Sequence, residues 1–298
     1  MLNFINNIDI SIVKFIQNYL SFGLLDYIMY GITQLGDLYA FILLAVILYW
    51  AIDKRFAYKF FFAFVGSALV NSVLKVIVQR PRPYNEPGIE SVFTKTHGYS
   101  FPSGHSQATG VIFYSMNNEF GKKNKIIRGL LIALLVLVPL SRVYLGQHYL
   151  TDVIVGASIG ILMSYLMFKL FDLMKDKEHI YPLFIIPVIV VIMIIFRNGD
   201  YGSYKDLFVA AGGYIGFTSG YAIEKIYVKH DVKTNIQNKI LKVLIGLIGV
   251  AIVYFGLKFV FPNNNLLLDS LRYALVALFA ALGAPFLFTK IFKNNKEI

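Results

Sequence analysis

Three short polar blocks interrupt an otherwise apolar sequence, and each carries side chains suited to binding or transferring a phosphate. The first block runs from Lys75 to Pro83 and holds Lys75, Arg80 and Arg82 beside two prolines. The prolines stiffen this segment into an extended exit from a helix. A guanidinium can bond two phosphate oxygens while a nearby ammonium supplies a point charge. Taken alone, the block could equally be a helix end with flanking cations.

The second block contains Ser103, Gly104 and His105. Ser103 is well placed to cap a helix, and Gly104 lets an anion approach the free N–H groups of the first turn. Without the histidine, a plain capped helix start would be the better interpretation. His105 can donate a proton near neutral pH, which suits a general acid that lies beside a bound phosphate.

The third block contains Arg142, His148 and Asp152. His148 and Asp152 are four residues apart, so on a helix they share one face. The carboxylate can then accept a hydrogen bond from the proton-bearing ring nitrogen, which leaves the other nitrogen free as nucleophile or base. A self-satisfied structural pair is the alternative, but ionisable residues are costly in a membrane bundle and commonly mark function. Arg142 adds a second phosphate-binding fork.

The composition places these blocks in a membrane protein. Of the 298 residues 57% are hydrophobic and 15% charged, whereas soluble proteins carry about 25% charged residues. A net charge of +11 would suggest nucleic-acid binding in a soluble chain; here lysines in cytoplasmic loops explain it, and we expect no nucleic-acid partner. The chain has no cysteine, which excludes disulfides, zinc–thiolate sites and a cysteine nucleophile.

The hydrophobic pattern predicts an all-α, polytopic bundle of about nine spans, since a spanning helix needs about 20 apolar residues. The predicted spans are 38–53, 56–78, 103–120, 126–143, 148–171, 180–196, 207–228, 240–261 and 270–292. Residues 8–34 are amphipathic, and we expect them to lie in the membrane interface rather than to form a tenth span. Residues 1–20 lack the pattern of a cleavable signal peptide.

Charge orients these spans. The positive-inside rule assigns the side with most basic residues to the cytoplasm, together with the C-terminus. Eighteen of the 28 basic residues fall on that side: Lys54, Arg55, Lys59, Lys122, Lys123, Lys125, Arg128, Lys169, Lys175, Lys177, Lys225, Lys229, Lys233, Lys239, Lys242, Lys290, Lys293 and Lys296. The three polar blocks fall on the opposite, extracytoplasmic face.

Small residues at helical spacing predict where helices pack closely. Gly156 and Gly160 form one such pair, and Gly212, Gly216 and Gly220 form a longer series. In a bilayer, residues of this size let helix backbones approach.

The predicted spans and the polar connection after residue 171 divide the chain into three parts. These are an N-terminal segment (1–37), a core (38–171) and a four-helix C-terminal extension (172–298).

Together the three blocks resemble the type 2 phosphatidic acid phosphatase (PAP2) superfamily, which includes glucose-6-phosphatases and vanadium haloperoxidases. The signature of that family is Lys-x6-Arg-Pro, then Pro-Ser-Gly-His, then Ser-Arg-x5-His-x3-Asp. This chain matches it without a substitution or a change of spacing, from Lys75 to Arg82 and Pro83, from Pro102 to His105, and from Ser141 to Asp152. The resemblance covers about residues 38–171.

The resemblance implies that His148 attacks phosphorus to form a phosphohistidine, that Asp152 orients it, and that His105 protonates the leaving oxygen. The phosphoryl oxygens would be held by Lys75, Arg82, Ser103, Gly104 and Arg142. Positioning and electrostatics dominate phosphoryl transfer. These cations already neutralise the phosphate and the sequence offers no carboxylate cluster for Mg2+, so we expect no metal and no cofactor.

The expected substrate is a phosphorylated lipid that presents its headgroup at the membrane surface, with undecaprenyl diphosphate as the first choice. Phosphatidate, phosphatidylglycerophosphate, a sphingoid phosphate and a glucose-6-phosphatase-like activity are the alternatives, as is transfer of the phosphoryl group to another lipid. A lipid transporter is disfavoured because the spans are poor in midplane charge. A vanadate-dependent peroxidase is disfavoured because such relatives are soluble.

Overall fold

The computed structural model describes residues 2–93, 95–262 and 264–292, and this part of the chain contains helices and no strand. The all-α prediction is therefore confirmed. The helices are α1 Leu2–Tyr19, α2 Gly23–Gln34, α3 Leu38–Ala51, α4 Lys54–Val78, α5 Gly104–Met116, α6 Lys125–Tyr144, α7 Leu150–Leu173, α8 Ile186–Phe196, α9 Tyr201–Ile223, α10 Ile236–Val260, α11 Leu266–Leu278 and α12 Ala284–Ile291. Lys293 and Lys296, which the charge pattern assigned to the cytoplasm, lie outside the described residues.

The chain folds into two compact units. The first comprises Met1–Leu43 and Gly66–Phe168, and the second comprises Leu44–Val65 and Lys169–Ile298. The helices α3, α4 and α7 each contribute to both. The structure thus groups the N-terminal segment with the residues of the three polar blocks, whereas the sequence pattern had set residues 1–37 apart.

In the first unit, α7 lies directly against the start of α5. A methyl group added at Gly156 would lie 2.5 Å from the carbonyl oxygen of Ser103, and one at Gly160 would lie 2.2 Å from that of Gln107. Because real side chains do not approach backbone so closely, only glycine permits this contact. The predicted packing role of Gly156 and Gly160 is confirmed.

The N-terminal helix joins this unit through apolar contacts. Val13 of α1 is buried in a cluster with Ile89, Val143, Tyr149 and Val153. These partners lie 76 to 140 positions further along the chain. Burying such side chains fully is worth about 1.5–3 kcal/mol each, so α1 is an integral part of the unit.

In the second unit, the glycine series of α9 packs against α11. A methyl group at Gly212 or Gly216 would lie 2.0 or 1.9 Å from the carbonyl oxygens of Ser270 and Ala274. This confirms the second predicted packing face. Two buried carboxylates also bind cations within this unit. Glu224 contacts Lys54 at 2.9 Å, and Glu178 contacts Lys225.

Within the described residues, five helical segments are long and apolar enough to cross a membrane. They are Lys54–Asn85, Lys125–Tyr144, Leu150–Leu173, Ile236–Val260 and Leu266–Ile291. The helices α2 and α3, bent by 44° relative to each other, could form a sixth. The helices α5 and α8 have only 13 and 11 residues, and α9 is longer but contains several glycine, serine and threonine residues. A count of nine spans therefore stays a prediction.

Candidate active site

The second polar block forms the N-terminus of α5. Ser103 is the N-cap, as predicted, and its side chain accepts a hydrogen bond from the Ser106 amide at 3.4 Å. Its own amide donates to the Asp152 carbonyl at 3.0 Å, which ties the cap to α7. The first N–H groups of a helix have no acceptor within the helix. The amides of Gly104 and His105 are thus in position for an anion.

A buried amide pair fixes this helix start to α4. Asn71 donates to the Pro102 carbonyl at 3.2 Å and to the side chain of Gln107 at 2.5 Å. Gln107 in turn donates to the backbone and side-chain oxygens of Ser67. Because all three side chains are buried, these bonds hold the N-terminus of α5 rigidly.

His148 lies in the turn between α6 and α7, where it is almost completely buried. Its Nδ1 is 2.8 Å from the Ser100 carbonyl oxygen, which can only accept, so Nδ1 carries the proton. Asp152 Oδ2 is 3.6 Å from Nδ1, beyond hydrogen-bond distance. It instead accepts from the Ser100 hydroxyl at 2.5 Å and from the Tyr149 amide at 2.9 Å. The direct hydrogen bond between Asp152 and His148 that the spacing predicts is therefore absent, and the carboxylate is linked to the imidazole through Ser100.

Arg82 lies against the other nitrogen of that ring. Its Nη1 is 3.2 Å from His148 Nε2 and 3.0 Å from the Gln147 carbonyl. The remaining nitrogens donate to the carbonyls of Gly98 and His97 at 2.9 and 2.8 Å. These backbone contacts fix the guanidinium beside the lone pair of Nε2. A phosphate bound by Arg82 would accordingly lie next to this nitrogen.

Two further predicted cations belong to the same unit. Arg142, in the last turn of α6, is buried and donates through Nη1 to the Thr33 hydroxyl at 3.1 Å. Its Nε is buried and has no hydrogen-bond acceptor. Because leaving a buried donor unsatisfied costs about 1–3 kcal/mol, this atom favours an incoming anion. Lys75 is half-buried in the last turn of α4.

His105 faces a carboxylate that the motifs do not contain. Its Nε2 is 3.7 Å from Oδ2 of Asp37, which lies in the bend between α2 and α3. Gly36 permits this approach, since a methyl group there would lie 3.3 Å from His105 and 2.5 Å from Val138. Asp37 favours the protonated imidazole, the form that a general acid needs. It acts against burial and the charges of Arg142, Lys75 and Arg82, which hold the pKa of His105 well below its usual range.

The environment keeps His148 neutral. Burial, followed by the nearby charges of Arg82, Arg142 and Lys75, holds the pKa of His148 well below its usual range. A neutral imidazole has a free lone pair at Nε2, so the residue is available as a nucleophile at neutral pH. The same cations would stabilise a bound phosphoryl group.

The structure thus gathers all eight residues singled out from the sequence in one unit: Lys75, Arg82, Ser103, Gly104, His105, Arg142, His148 and Asp152. Sequence reasoning missed Asp37, Ser100 and Thr33, which contact these residues from other segments. It also gave no role to Arg80, whose Nη1 donates to Asp152 Oδ1 at 2.7 Å. The position of Arg80, two residues before Arg82, was the available signal.

Comparisons with known proteins agree with this geometry. Residues 56–175 match the model of the PAP2 superfamily, and residues 208–296 match that of the PAP2 superfamily phosphatase transmembrane extension. The chain is 34% identical over 162 residues to phosphatidylglycerophosphatase B of Bacillus subtilis, covering 50% of this chain and 75% of that protein. It is 29% identical over 156 residues to undecaprenyl-diphosphatase BcrC of the same organism, covering 51% and 78%.

A solved structure shares the fold. It is the crystal structure of a transmembrane PAP2-type phosphatidylglycerolphosphate phosphatase from Bacillus subtilis, which superposes with a TM-score of 0.50 at 29% identity. The superposition covers 58% of this chain and 89% of that one. The superposition does not cover the remaining residues of the present chain, and these are numerous enough to include residues 208–296, which match the extension model.

Proposed function

This chain is a membrane phosphatase of the PAP2 superfamily, and we propose that it hydrolyses a phosphorylated lipid through a phosphohistidine on His148. One observation carries the proposal. His148 Nδ1 is bonded to the Ser100 carbonyl, while its Nε2 faces the Arg82 guanidinium. The Nε2 lone pair therefore lies beside a cation that would bind the oxygens of the phosphoryl group.

In the first step, the Nε2 lone pair attacks phosphorus as the bond to the leaving oxygen breaks. His105, paired with Asp37, gives its proton to that oxygen, so that an alcohol or a lipid monophosphate departs. The ring becomes a positively charged phosphoimidazolium. Asp152 stabilises this charge through Ser100, because a negative charge near a developing cation lowers the energy of the transition state.

In the second step, water attacks the phosphohistidine. The neutral His105 left by the first step takes a proton from the water, the nitrogen–phosphorus bond breaks, and inorganic phosphate leaves. His148 is again neutral and His105 again protonated. Throughout, Lys75, Arg82, Arg142 and the Gly104 amide hold the phosphoryl oxygens. No metal ion is required by this scheme.

For the substrate, we put undecaprenyl diphosphate first. One curated relative is an undecaprenyl-diphosphatase and another is a dolichyldiphosphatase, so diphosphates of long isoprenoid carriers recur among the relatives. Phosphatidylglycerophosphate, phosphatidate and sphingoid phosphates are the competing substrates.

We further propose that the chain is a multi-pass protein of the cell membrane, with the site on the extracytoplasmic face and the C-terminus in the cytoplasm. The support is that most basic residues lie in every second connection between the predicted spans, which the positive-inside rule assigns to the cytoplasm.

The test is a phosphate-release panel with the purified full chain in detergent and a chelator. The substrates are undecaprenyl diphosphate, phosphatidate, phosphatidylglycerophosphate, sphingosine phosphate and glucose 6-phosphate. We expect release from at least one lipid and none from glucose 6-phosphate. His179→Asn serves as the matched control for His148→Asn, because His179 lies in the second unit.

Each outcome has a meaning. No release from any compound would contradict the hydrolase. Release that survives in His148→Asn would contradict the nucleophile. Radiolabelled phosphoryl groups that appear on an added acceptor lipid rather than as free phosphate would indicate a phosphotransferase.

A further inference from the structure

The N-terminal helix contributes a buried carboxylate to the neighbourhood of the site. Asp9 of α1 is only 1% exposed. Its Oδ2 accepts from Arg80 Nη2 at 2.8 Å and from the Thr151 hydroxyl, and its Oδ1 accepts from the Thr151 amide at 3.2 Å. A carboxylate buried to this degree is expensive unless it is paired, and in a membrane protein it is a candidate for function.

Arg80 lies between this carboxylate and the catalytic one. Its Nη1 donates to Asp152 Oδ1 at 2.7 Å, while its Nη2 binds Asp9. The guanidinium is held further by the Tyr149 ring, 4.0 Å from its central carbon. Arg80 is therefore a fixed bridge between two carboxylates, and neither the three motifs nor the reaction steps above use it.

The charges of this bridge decide its effect. Asp152 alone would place one negative charge near His148, and Arg80 alone would cancel that charge. With Asp9 present, the set of two carboxylates and one guanidinium keeps a net charge of −1. The negative charge of this set stabilises the positive ring that forms when His148 attacks phosphorus, and it opposes the cations Arg82, Arg142 and Lys75, which disfavour that ring.

We propose that Asp9 is a positioning residue for the reaction: through Arg80 it fixes the Asp152 carboxylate and maintains the negative charge that stabilises phosphorylated His148. The inference rests on the phosphohistidine mechanism proposed above. It gives α1 a catalytic purpose, since the helix supplies the second carboxylate as well as apolar contacts.

Asp9→Asn tests the charge while retaining the shape and most hydrogen bonds. We expect kcat to fall about tenfold, the lower end of the effect known for outer partners of metal-binding histidines, with little change in KM. In rapid-mixing experiments with radiolabelled substrate, phosphoenzyme should form more slowly. Asp9→Glu, which keeps the charge, should recover part of the rate.

Two controls separate this role from a purely structural one. Asp26→Asn makes the same change in α2, where Asp26 accepts from the Tyr144 hydroxyl at 2.6 Å and has no described contact with Arg80; its kcat should match the wild type. In an Arg80→Gln background, Asp9→Asn should have much less than its single-mutant effect, because residues that act through one another are not additive.

The outcomes are distinct. An unchanged kcat in Asp9→Asn overturns the inference. So does a loss of kcat that is fully explained by a lower thermal midpoint, or one that adds in full to the loss caused by Arg80→Gln. Slower phosphoenzyme formation at an unchanged midpoint supports it. A wild-type protein that releases phosphate but forms no phosphohistidine overturns both this inference and the proposed mechanism, whereas an active wild type with an unaffected Asp9→Asn variant overturns the inference alone.

Discussion

The two units of this protein both bury charged side chains, but they do so differently. In the second unit, the carboxylates of Glu224 and Glu178 are completely buried and each contacts a lysine. In the first unit, Arg80 is paired in the same way with Asp9 and Asp152, but the buried Arg142 donates to the neutral Thr33 hydroxyl and its Nε has no acceptor. An arginine held by a neutral group is suited to bind an anion, whereas the removal of one partner from a buried ion pair destabilises the fold.

The largest effect should come from His148→Asn. We expect phosphate release to fall by about 10⁴-fold or more, since removing a nucleophile leaves only binding and charge stabilisation. The thermal midpoint should hardly change, because the amide can still donate to the Ser100 carbonyl. Activity above one per cent of the wild type would contradict the assignment of the nucleophile to the first unit.

Arg142→Lys should come next. The lysine keeps the charge but lacks the planar fork, so kcat/KM should fall about 100-fold, in line with the loss of one oxyanion donor. Steady-state kinetics on the preferred lipid would measure this, with Lys225→Arg in the second unit as the reverse exchange. Equal losses of kcat/KM in the two variants would mean that the cations of the two units do not differ in function.

Lys54→Met should affect stability instead of catalysis. It removes the cation from buried Glu224, which would keep its bonds to the amide and ring of His230 at 2.8 and 2.9 Å. We expect a loss of about 1–3 kcal/mol in the free energy of unfolding, seen as a lower thermal midpoint in detergent. The kcat of the folded fraction should stay at the wild-type value; a selective loss of kcat would assign the second unit a catalytic part.

Asp37→Asn should give a smaller effect that depends on pH. Without the carboxylate, the protonated form of His105 is less stable, so the alkaline limb of the kcat profile should move to lower pH by about 0.5–1 unit. Substrates with good leaving groups, such as p-nitrophenyl phosphate, should be affected least because they need little acid assistance. An alkaline limb that does not move would remove Asp37 from the mechanism.

The smallest effect concerns stability at acid pH. The pKa of His148 is lowered by burial and by the Arg82 charge, so the unfolded chain takes up a proton below about pH 6.5 while the folded chain does not. This contribution to stability is present above that pH and is lost as the pH falls. From pH 7.5 to 5.5 the wild type should lose about 1 kcal/mol more than His148→Asn, measured by thermal midpoints.

The predictable part of this molecule was what short-range spacing determines. A capping serine, a histidine in the first turn and a His–Asp pair four residues apart define local geometry, and the structure places Ser103 as the cap and Asp152 one turn after His148. Glycines every four residues similarly predicted where α7 and α9 pack. These features require no knowledge of distant segments.

The remainder depends on contacts between segments that are far apart along the chain. Asp9 meets Thr151 across 142 positions, and the amphipathic pattern of α1 suits a helix at an interface equally well. Asp37 meets His105 only because α2 and α3 bend relative to each other. The number of spans is similarly undetermined by hydropathy, since α5 and α8 are apolar but short.

The contact between Arg82 and His148 has a consequence for chemical modification. In the resting protein the guanidinium covers Nε2 at 3.2 Å, so an electrophile from solution meets a cation before it meets the nucleophile. In the proposed reaction, phosphoryl oxygens must replace this contact before Nε2 can attack. Reactivity is thereby reserved for molecules that bring an anion with them, and neutral acylating or alkylating reagents should leave His148 largely intact.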